Sequence, residues 1–269
     1  MSEFIFLDGK VIDKSFLPRA LFYGEGVFET FRWKGKPPVF LEKHFERLSS
    51  GAKLFDIPFP EITLLFERIY EAVKKSRIHD AYVKLCLIAE GETSFYKMPQ
   101  KSSILVLVKK HTAPKEEFSL CVSKLKRNQF SPLHMVKSFN YMENILSKRE
   151  ALDKQFDDAI FLNINDEIVE TSSCNIFWVR GKALFTPSIN CGLLPGITRN
   201  AVLSIAPDLG YEINERKFKL PYLLNSDFAF LTNASAGVIY VNKINNQVMP
   251  KINAHYKQLK DSLTQKLDW

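Results

Sequence analysis

The sequence predicts an α+β fold built as two modest domains, and three observations carry that expectation. Amphipathic stretches with helical spacing alternate with short runs of β-branched and aromatic residues. The 269 residues, 46% hydrophobic and 13% aromatic, hold more core material than one small domain needs. A charged, proline-containing stretch near the middle then interrupts the pattern. In order, residues 4–7 and 11–12 read as strands around a turn at Asp8-Gly9. A second hairpin is expected from residues 27–33, a turn at Lys34-Gly35-Lys36, and a return strand at Val39-Phe40. Leu41, Phe45, Leu48, Ala52 and Phe55 recur at helical spacing, as do Ile62, Leu65, Phe66, Ile69 and Val73. Strands at 81–88 and 103–108 complete an α+β layer on a mostly antiparallel sheet.

Lys109-Lys110-His111-Thr112-Ala113-Pro114-Lys115-Glu116-Glu117 lacks periodicity and marks the expected boundary, giving domains 1–112 and 113–269. Beyond it come a strand at 118–122, a helix over about 140–155, and short strands around Ile160, Val169 and Phe177. Turns fall at Asn165-Asp166 and Gly181. A helix beginning near Thr198 stops before Gly210, which suits a C-cap. Strands near Phe228 and Val238 and a last helix from about His255 make the second half another α+β unit of barrel-like character.

Composition narrows the function classes. No apolar run approaches the ~20 residues of a membrane helix. The segment 1–8 has neither the basic start nor the apolar core of a secretory signal, so a cytoplasmic protein without a membrane partner is expected. The charge of +7 suits an anionic small molecule; the lysines are dispersed without a long basic block, so no nucleic acid is expected. Cys86, Cys121, Cys174 and Cys191 form no Cys-x-x-Cys pair and read as reduced core thiols. The five histidines show no ligand spacing, so no metal is expected.

Glycine is scarce, 11 residues against a usual ~7%, so its clusters inform. Leu194-Pro195-Gly196-Ile197-Thr198-Arg199-Asn200 places a glycine turn before a helix start, where free backbone N–H groups, the helix dipole and a threonine hydroxyl favour a phosphate. The ordinary alternative is a turn with Thr198 as N-cap. The small polar stretch from Thr232 to Gly237 offers a second anion-binding turn. Glu170 precedes Thr171-Ser172-Ser173-Cys174-Asn175, a run slim enough to bring a carboxylate into a tight cavity. Lys137 stands among His134, Met135, Val136 and Phe139; an amine in apolar surroundings loses its proton more easily, although such lysines more often snorkel.

These residues together resemble the class IV (fold type IV) pyridoxal-phosphate enzymes, which include branched-chain aminotransferases, D-amino-acid aminotransferases and aminodeoxychorismate lyases. The resemblance runs through Tyr23-Gly24-Glu25-Gly26-Val27-Phe28-Glu29-Thr30-Phe31-Arg32, His44-Phe45-Glu46-Arg47-Leu48 and Lys137-Ser138-Phe139-Asn140. It continues through Glu170 to Phe177, Leu184-Phe185-Thr186 and Leu194 to Arg199, in the family's order. It implies two α+β domains with pyridoxal 5'-phosphate in the cleft between them, in a homodimer acting on an anionic amine. It further implies Lys137 as the Schiff-base and proton-shuttling lysine, Glu170 as partner of the pyridine nitrogen, and Arg47 as a phosphate ligand. Ile197, Thr198, Asn233 and Ala234 are implied as anion-binding donors, and Leu194 as the residue on the ring face.

Within the family the lyase leads. The short Lys137-to-Asn140 spacing, Thr30 in Phe28-Glu29-Thr30-Phe31-Arg32, Thr232-Asn233 and Asn175-Ile176-Phe177-Trp178 are lyase-like. That implies conversion of 4-amino-4-deoxychorismate to 4-aminobenzoate, a folate precursor, and pyruvate, with Thr30 catalytic. Leu194-Pro195-Gly196-Ile197-Thr198-Arg199 is closer to branched-chain transaminases, which keeps a branched-chain or D-amino-acid transaminase as the alternative. An Arg-Gly pair common in lyases and D-amino-acid enzymes is replaced by Glu90-Gly91, leaving Arg32, or a lysine of a second subunit, to meet a substrate carboxylate. A remote alternative is a non-catalytic basic binding protein on the same fold.

Overall fold

Alternation of side chains along three strands gives the first sheet one apolar face and one mixed face. The computed structural model describes residues 5–7, 10–12 and 19–269. It begins with a hairpin of β1 (Ile5–Leu7) and β2 (Lys10–Ile12), then α1 (Arg19–Tyr23). Phe4 and the turn expected at Asp8-Gly9 lie outside the described residues. Strands β3 (Gly26–Lys34), β4 (Asp80–Glu90) and β5 (Lys101–Lys110) pair antiparallel in that order. Val27, Phe31 and Trp33 of β3 join Val83, Leu85 and Leu87 of β4 in a core beneath α2 (Leu41–Leu54) and α3 (Ile62–Ser76). Both helices present a stripe at the expected spacing, Leu41, Phe45 and Leu48 on one and Leu65, Ile69 and Val73 on the other.

The return strand expected at Val39-Phe40 does not form. Pro37 and Pro38 offer no N–H to a ladder. The Pro38 carbonyl instead accepts the Leu41 N–H at 3.0 Å, and Phe40 becomes the N-cap of α2. The partner of β3 is therefore the more distant β4.

After residues 111–116 the chain builds a nine-stranded mixed sheet. Its strands are β6 (Glu117–Arg127), β7 (Asp158–Asn163), β8 (Ile168–Thr171), β9 (Asn175–Arg180), β10 (Ala183–Pro187), β11 (Glu212–Arg216), β12 (Phe228–Asn233), β13 (Gly237–Ile244) and β14 (Gln247–Val248). The order is β11-β10-β9-β12-β13-β6-β7-β8, with β14 on β13. Helix α4 (Met142–Asp153) is shorter than expected; α5 (Ile197–Ile205), α6 (Leu220–Leu224) and α7 (Ala254–Leu267) complete the chain. Phe177, Phe228 and Phe230 pack with Val202, Leu259 and Leu263 beneath α5 and α7. On the opposite face Ile176, Trp178, Leu231 and Val241 pack with Leu223. Central strands buried on both faces explain their nearly continuous apolar sequence. All four cysteines are buried and unpaired. No helix among the described residues is long and apolar enough to cross a membrane.

Candidate active site

The mixed face of β3 and β4 meets the ends of β8, β9 and β12 across a cleft of about 720 Å³. Phe28 and Thr30 of β3 and Lys84 of β4 line one side; Lys137, Glu170 and Thr198 line the other. Arg47, Leu194, Ile197, Asn233 and Ala234 also face this cleft. Every site residue singled out by the sequence except Arg32 is therefore gathered in one place.

Lys137 is delivered by a short segment laid along the free edge of β3. The Phe28 N–H donates to the Lys137 carbonyl at 2.8 Å, and the Phe139 N–H donates to the Gly26 carbonyl at 2.9 Å. Only glycine allows this approach, since a Cβ on Gly26 would lie 2.6 Å from the Phe139 ring. The lysine Nζ then sits 4.6 Å from the Phe28 ring centroid and 5.4 Å from that of Tyr141. Burial, reinforced by the Arg47 cation and opposed by Glu29 and Glu170, lowers its pKa to about 8. Roughly a tenth of the amine is therefore free at pH 7, far more than an ordinary lysine offers.

Glu170, buried at the end of β8, is paired with Arg127 at the end of β6. Asn175 Nδ2 donates to its other oxygen at 3.1 Å. Burial pushes the carboxyl up, and the Arg127 charge and hydrogen bond oppose that push. The small residues after Glu170 have a purpose: Thr171, Ser172 and Ser173 all donate hydroxyls to the fully buried Asp158, folding the chain tightly behind the cleft. Arg127 escaped the sequence reading because Lys124-Leu125-Lys126-Arg127 looks like a solvated basic run. No local pattern marks it: Lys124, Leu125 and Lys126 are all exposed, and a register shift between Val122 and Lys126 precedes the buried Arg127.

Arg47 gives its fork to Glu29, Nε and Nη2 each donating at 2.7 Å, while Nη1 donates to the Pro195 carbonyl at 2.9 Å. Five guanidinium N–H groups less these three leave one on each terminal nitrogen for a ligand. Glu29 is wholly buried with His44, whose Nδ1 stands 2.7 Å away. Burial alone raises the Glu29 carboxyl, but Arg47 and then His44 overcome it and hold it down at about 2. Opposite, α5 starts at Gly196 without a side-chain cap, leaving its first N–H groups for an anion. Asn233 turns its Oδ1 to the N–H groups of Ser235 and Ala236, so its side chain builds the second turn. The Thr232 hydroxyl, which also lines the cleft, is buried without a hydrogen-bond partner. This donor set fits a phosphate at one end of the cleft, and Glu170 fits a protonated ring nitrogen at another.

Arg32 is the correction. It lies outside the residues lining this cleft, and Asp80 takes its fork at 2.7 Å through both Nε and Nη2. Asp80 and Trp269, whose ring lies 5.3 Å from the guanidinium, hold it there. Glu90 also stands outside the lining, paired with Lys101 at 3.2 Å. The cation that β4 brings to this cleft is Lys84, missed in the sequence because it reads as one more surface lysine on an alternating strand. It faces Thr30 in register across β3 and β4, and its Nζ lies 4.2 Å from the Phe28 ring centroid. Lys84→Met is expected to raise KM for a carboxylate substrate about tenfold or more, whereas Arg32→Met leaves it within about twofold. Steady-state kinetics on the two variants decide between them, and equal effects would remove Lys84 from this role.

Several known proteins are similar to this chain. The family model described as Amino-transferase class IV matches residues 26–244. The aminodeoxychorismate lyase of Bacillus subtilis (strain 168) is 30% identical over 230 residues, covering 82% of this chain and 78% of that protein. The branched-chain-amino-acid aminotransferase of Escherichia coli (strain K12) is 28% identical over 244 residues, covering 85% and 79%. The crystal structure of the branched-chain aminotransferase from Thermoproteus uzoniensis superimposes with a TM-score of 0.86 at 27% identity, covering 97% of this chain and 93% of that one.

Proposed function

The chain belongs to the class IV aminotransferases, and on that premise we propose that it is a pyridoxal-phosphate enzyme whose reaction is that of an aminodeoxychorismate lyase. The observation that carries the cofactor assignment is the meeting of Lys137, Glu170 and the Arg47–α5 anion site in one cleft. When bound, pyridoxal phosphate supplies an electron sink for charge developing at the amine-bearing carbon of the substrate. Arg47, the α5 N-terminus and the Thr232 hydroxyl hold the phosphate. Leu194 packs on the ring, and the charge of Glu170 keeps the ring nitrogen protonated. The Lys137 amine is the base that takes the proton from the substrate carbon. The two-domain layout, 1–112 and 113–269, with the cleft between, and a homodimeric assembly belong to the same proposal.

Lyase chemistry is favoured by the opposed pair Thr30 and Lys84. The substrate 4-amino-4-deoxychorismate carries two carboxylates, and Lys84 makes no ion pair among the described residues. Thr30 adds a hydroxyl on the same wall to hydrogen-bond the departing enolpyruvyl oxygen, which leaves as pyruvate once it regains a proton. Thr30→Gly is expected to lower pyruvate release about 10²-fold while cofactor affinity stays within about twofold. An unaffected rate would take Thr30 out of the reaction. The second reading, an amino-acid transaminase, is supported by the Leu194–Arg199 turn and by the aminotransferase relatives. One assay separates the two: the holoenzyme is given aminodeoxychorismate, or L-glutamate with a branched-chain keto acid. Formation of 4-aminobenzoate with equimolar pyruvate supports the lyase; amino transfer without it supports the alternative.

A further inference from the structure

We propose that Asn175 is a positioning residue that fixes the separation between Glu170 and the anion-binding turn at 194–198, so that a single amide sets the spacing of both ends of the cofactor site. The inference rests on the cofactor assignment above and concerns how the chain shapes that site.

Asn175 opens β9, is buried, and is held in register with Thr232 of β12. One hydrogen of its amide nitrogen goes to Glu170 Oε2 at 3.1 Å and the other to the Leu194 carbonyl at 2.9 Å. Its amide oxygen lies against Gly196: a Cβ there would stand 1.9 Å from Asn175 Oδ1. The amide nitrogen thus bridges the partner of the ring nitrogen and the turn that opens α5, reinforcing a backbone hydrogen bond from Leu194 to Glu170, while the amide oxygen rests on that turn. Between them the Pro195 carbonyl accepts Arg47, which ties the turn to the buried Arg47–Glu29 pair from the other side. A planar ligand with a basic nitrogen at one end and a phosphate at the other has a fixed length. Its affinity therefore depends on the distance this amide maintains. Aspartate has the same shape, but it cannot donate to Leu194 and adds a like charge beside Glu170.

The test uses the full-length apoprotein titrated separately with pyridoxal phosphate, pyridoxal and inorganic phosphate. Binding is followed by absorbance for the first two and by calorimetry for the third. Asn175→Asp is expected to lose about tenfold or more in affinity for pyridoxal phosphate, which spans both ends, while pyridoxal and inorganic phosphate, each meeting one end, stay within about threefold of the wild type. Gly196→Ala presses on the amide from the turn, so it is expected to weaken pyridoxal phosphate by about the same factor and to leave pyridoxal within about threefold of the wild type. Asn175→Ser, which shortens the arm without adding charge, repeats the measurement should the aspartate variant fail to give the wild-type far-UV dichroism. If the variants lose pyridoxal or inorganic phosphate as strongly as pyridoxal phosphate, the amide shapes one end or the fold as a whole and not the spacing, and the proposal is overturned. Wild-type affinity for pyridoxal phosphate in the Asn175 variants overturns it as well. Failure of the wild-type protein to bind pyridoxal phosphate at all would remove the cofactor assignment, and the proposal with it.

Discussion

Lys137→Met folds, retains no pyridoxal phosphate through gel filtration and loses turnover by roughly 10⁴-fold or more, because one side chain supplies both the covalent anchor and the proton-transferring base. Methionine preserves the length of the stem beside Phe28, so packing is kept and chemistry is removed. In the native apoprotein the rate of pyridoxal phosphate capture rises with pH and levels off above about 8, where the lysine pKa lies. The same pKa fixes the sign of a stability change. The unfolded lysine, with its ordinary pKa of 10.5, holds a proton that the folded one has given up between about 8 and 10.5. Stability contributed by this site therefore rises with pH through that window, and below pH 8 the half-buried cation bears its desolvation cost. Lys137→Met is accordingly more stable than the wild type at pH 7, by up to about 3 kcal/mol, and the gain shrinks towards pH 10. Thermal unfolding at the two pH values measures this, and a variant less stable at pH 7 would contradict the assignment of Lys137 as a half-buried cation.

Much of this arrangement was legible in the sequence, and the exceptions have a common cause. Helices α2 and α3 were readable because a packed face must recur every three to four residues, and Leu41, Phe45 and Leu48 do so. Lys137 and Glu170 were candidates from their neighbours, an apolar stretch and a run of small residues, but received roles only through a resemblance that fixes order along the chain. Arg32 could not be excluded by pattern: it shares the parity of Thr30 on β3, and only the pairing of β3 with β4 brings Asp80 within reach of its guanidinium. Lys84 could not be found for the converse reason, since the same pairing turns an ordinary lysine towards the cleft. Arg127 acts on Glu170 from a strand that is distant in sequence, whereas Asp158 holds the turn behind it from the neighbouring strand of the β7–β8 hairpin. Long-range partners of this kind are settled by sheet order, and a single sequence carries no local signal for sheet order.

Arg47→Met shows how far such a partner reaches. The obvious loss is cofactor affinity, about 10²-fold, since a charge-assisted phosphate contact goes with the guanidinium. The larger consequence falls on Glu29, which is wholly buried and keeps only His44 as a polar partner once its bidentate pair is gone. Breaking a buried ion pair from one side costs about 3–5 kcal/mol, because the remaining charge has neither water nor counter-ion. Arg47→Met is therefore expected to unfold at distinctly lower denaturant concentration than the wild type. Glu29→Gln added to it should recover part of that loss, since a neutral amide needs less compensation than a carboxylate. The acid limb of stability carries the same signature. With Arg47 present the Glu29 pKa is held near 2, so its stabilisation is complete above the unfolded value of about 4.5 and disappears as pH falls from there towards 2. Without Arg47, burial is opposed by His44 and the Lys137 charge, the carboxyl rises, and the acid transition moves to higher pH. Independent, additive effects of the two substitutions would mean that Glu29 does not hold Arg47 in place; strong coupling means that the phosphate ligand of this cleft is set by a carboxylate on the far side of the sheet.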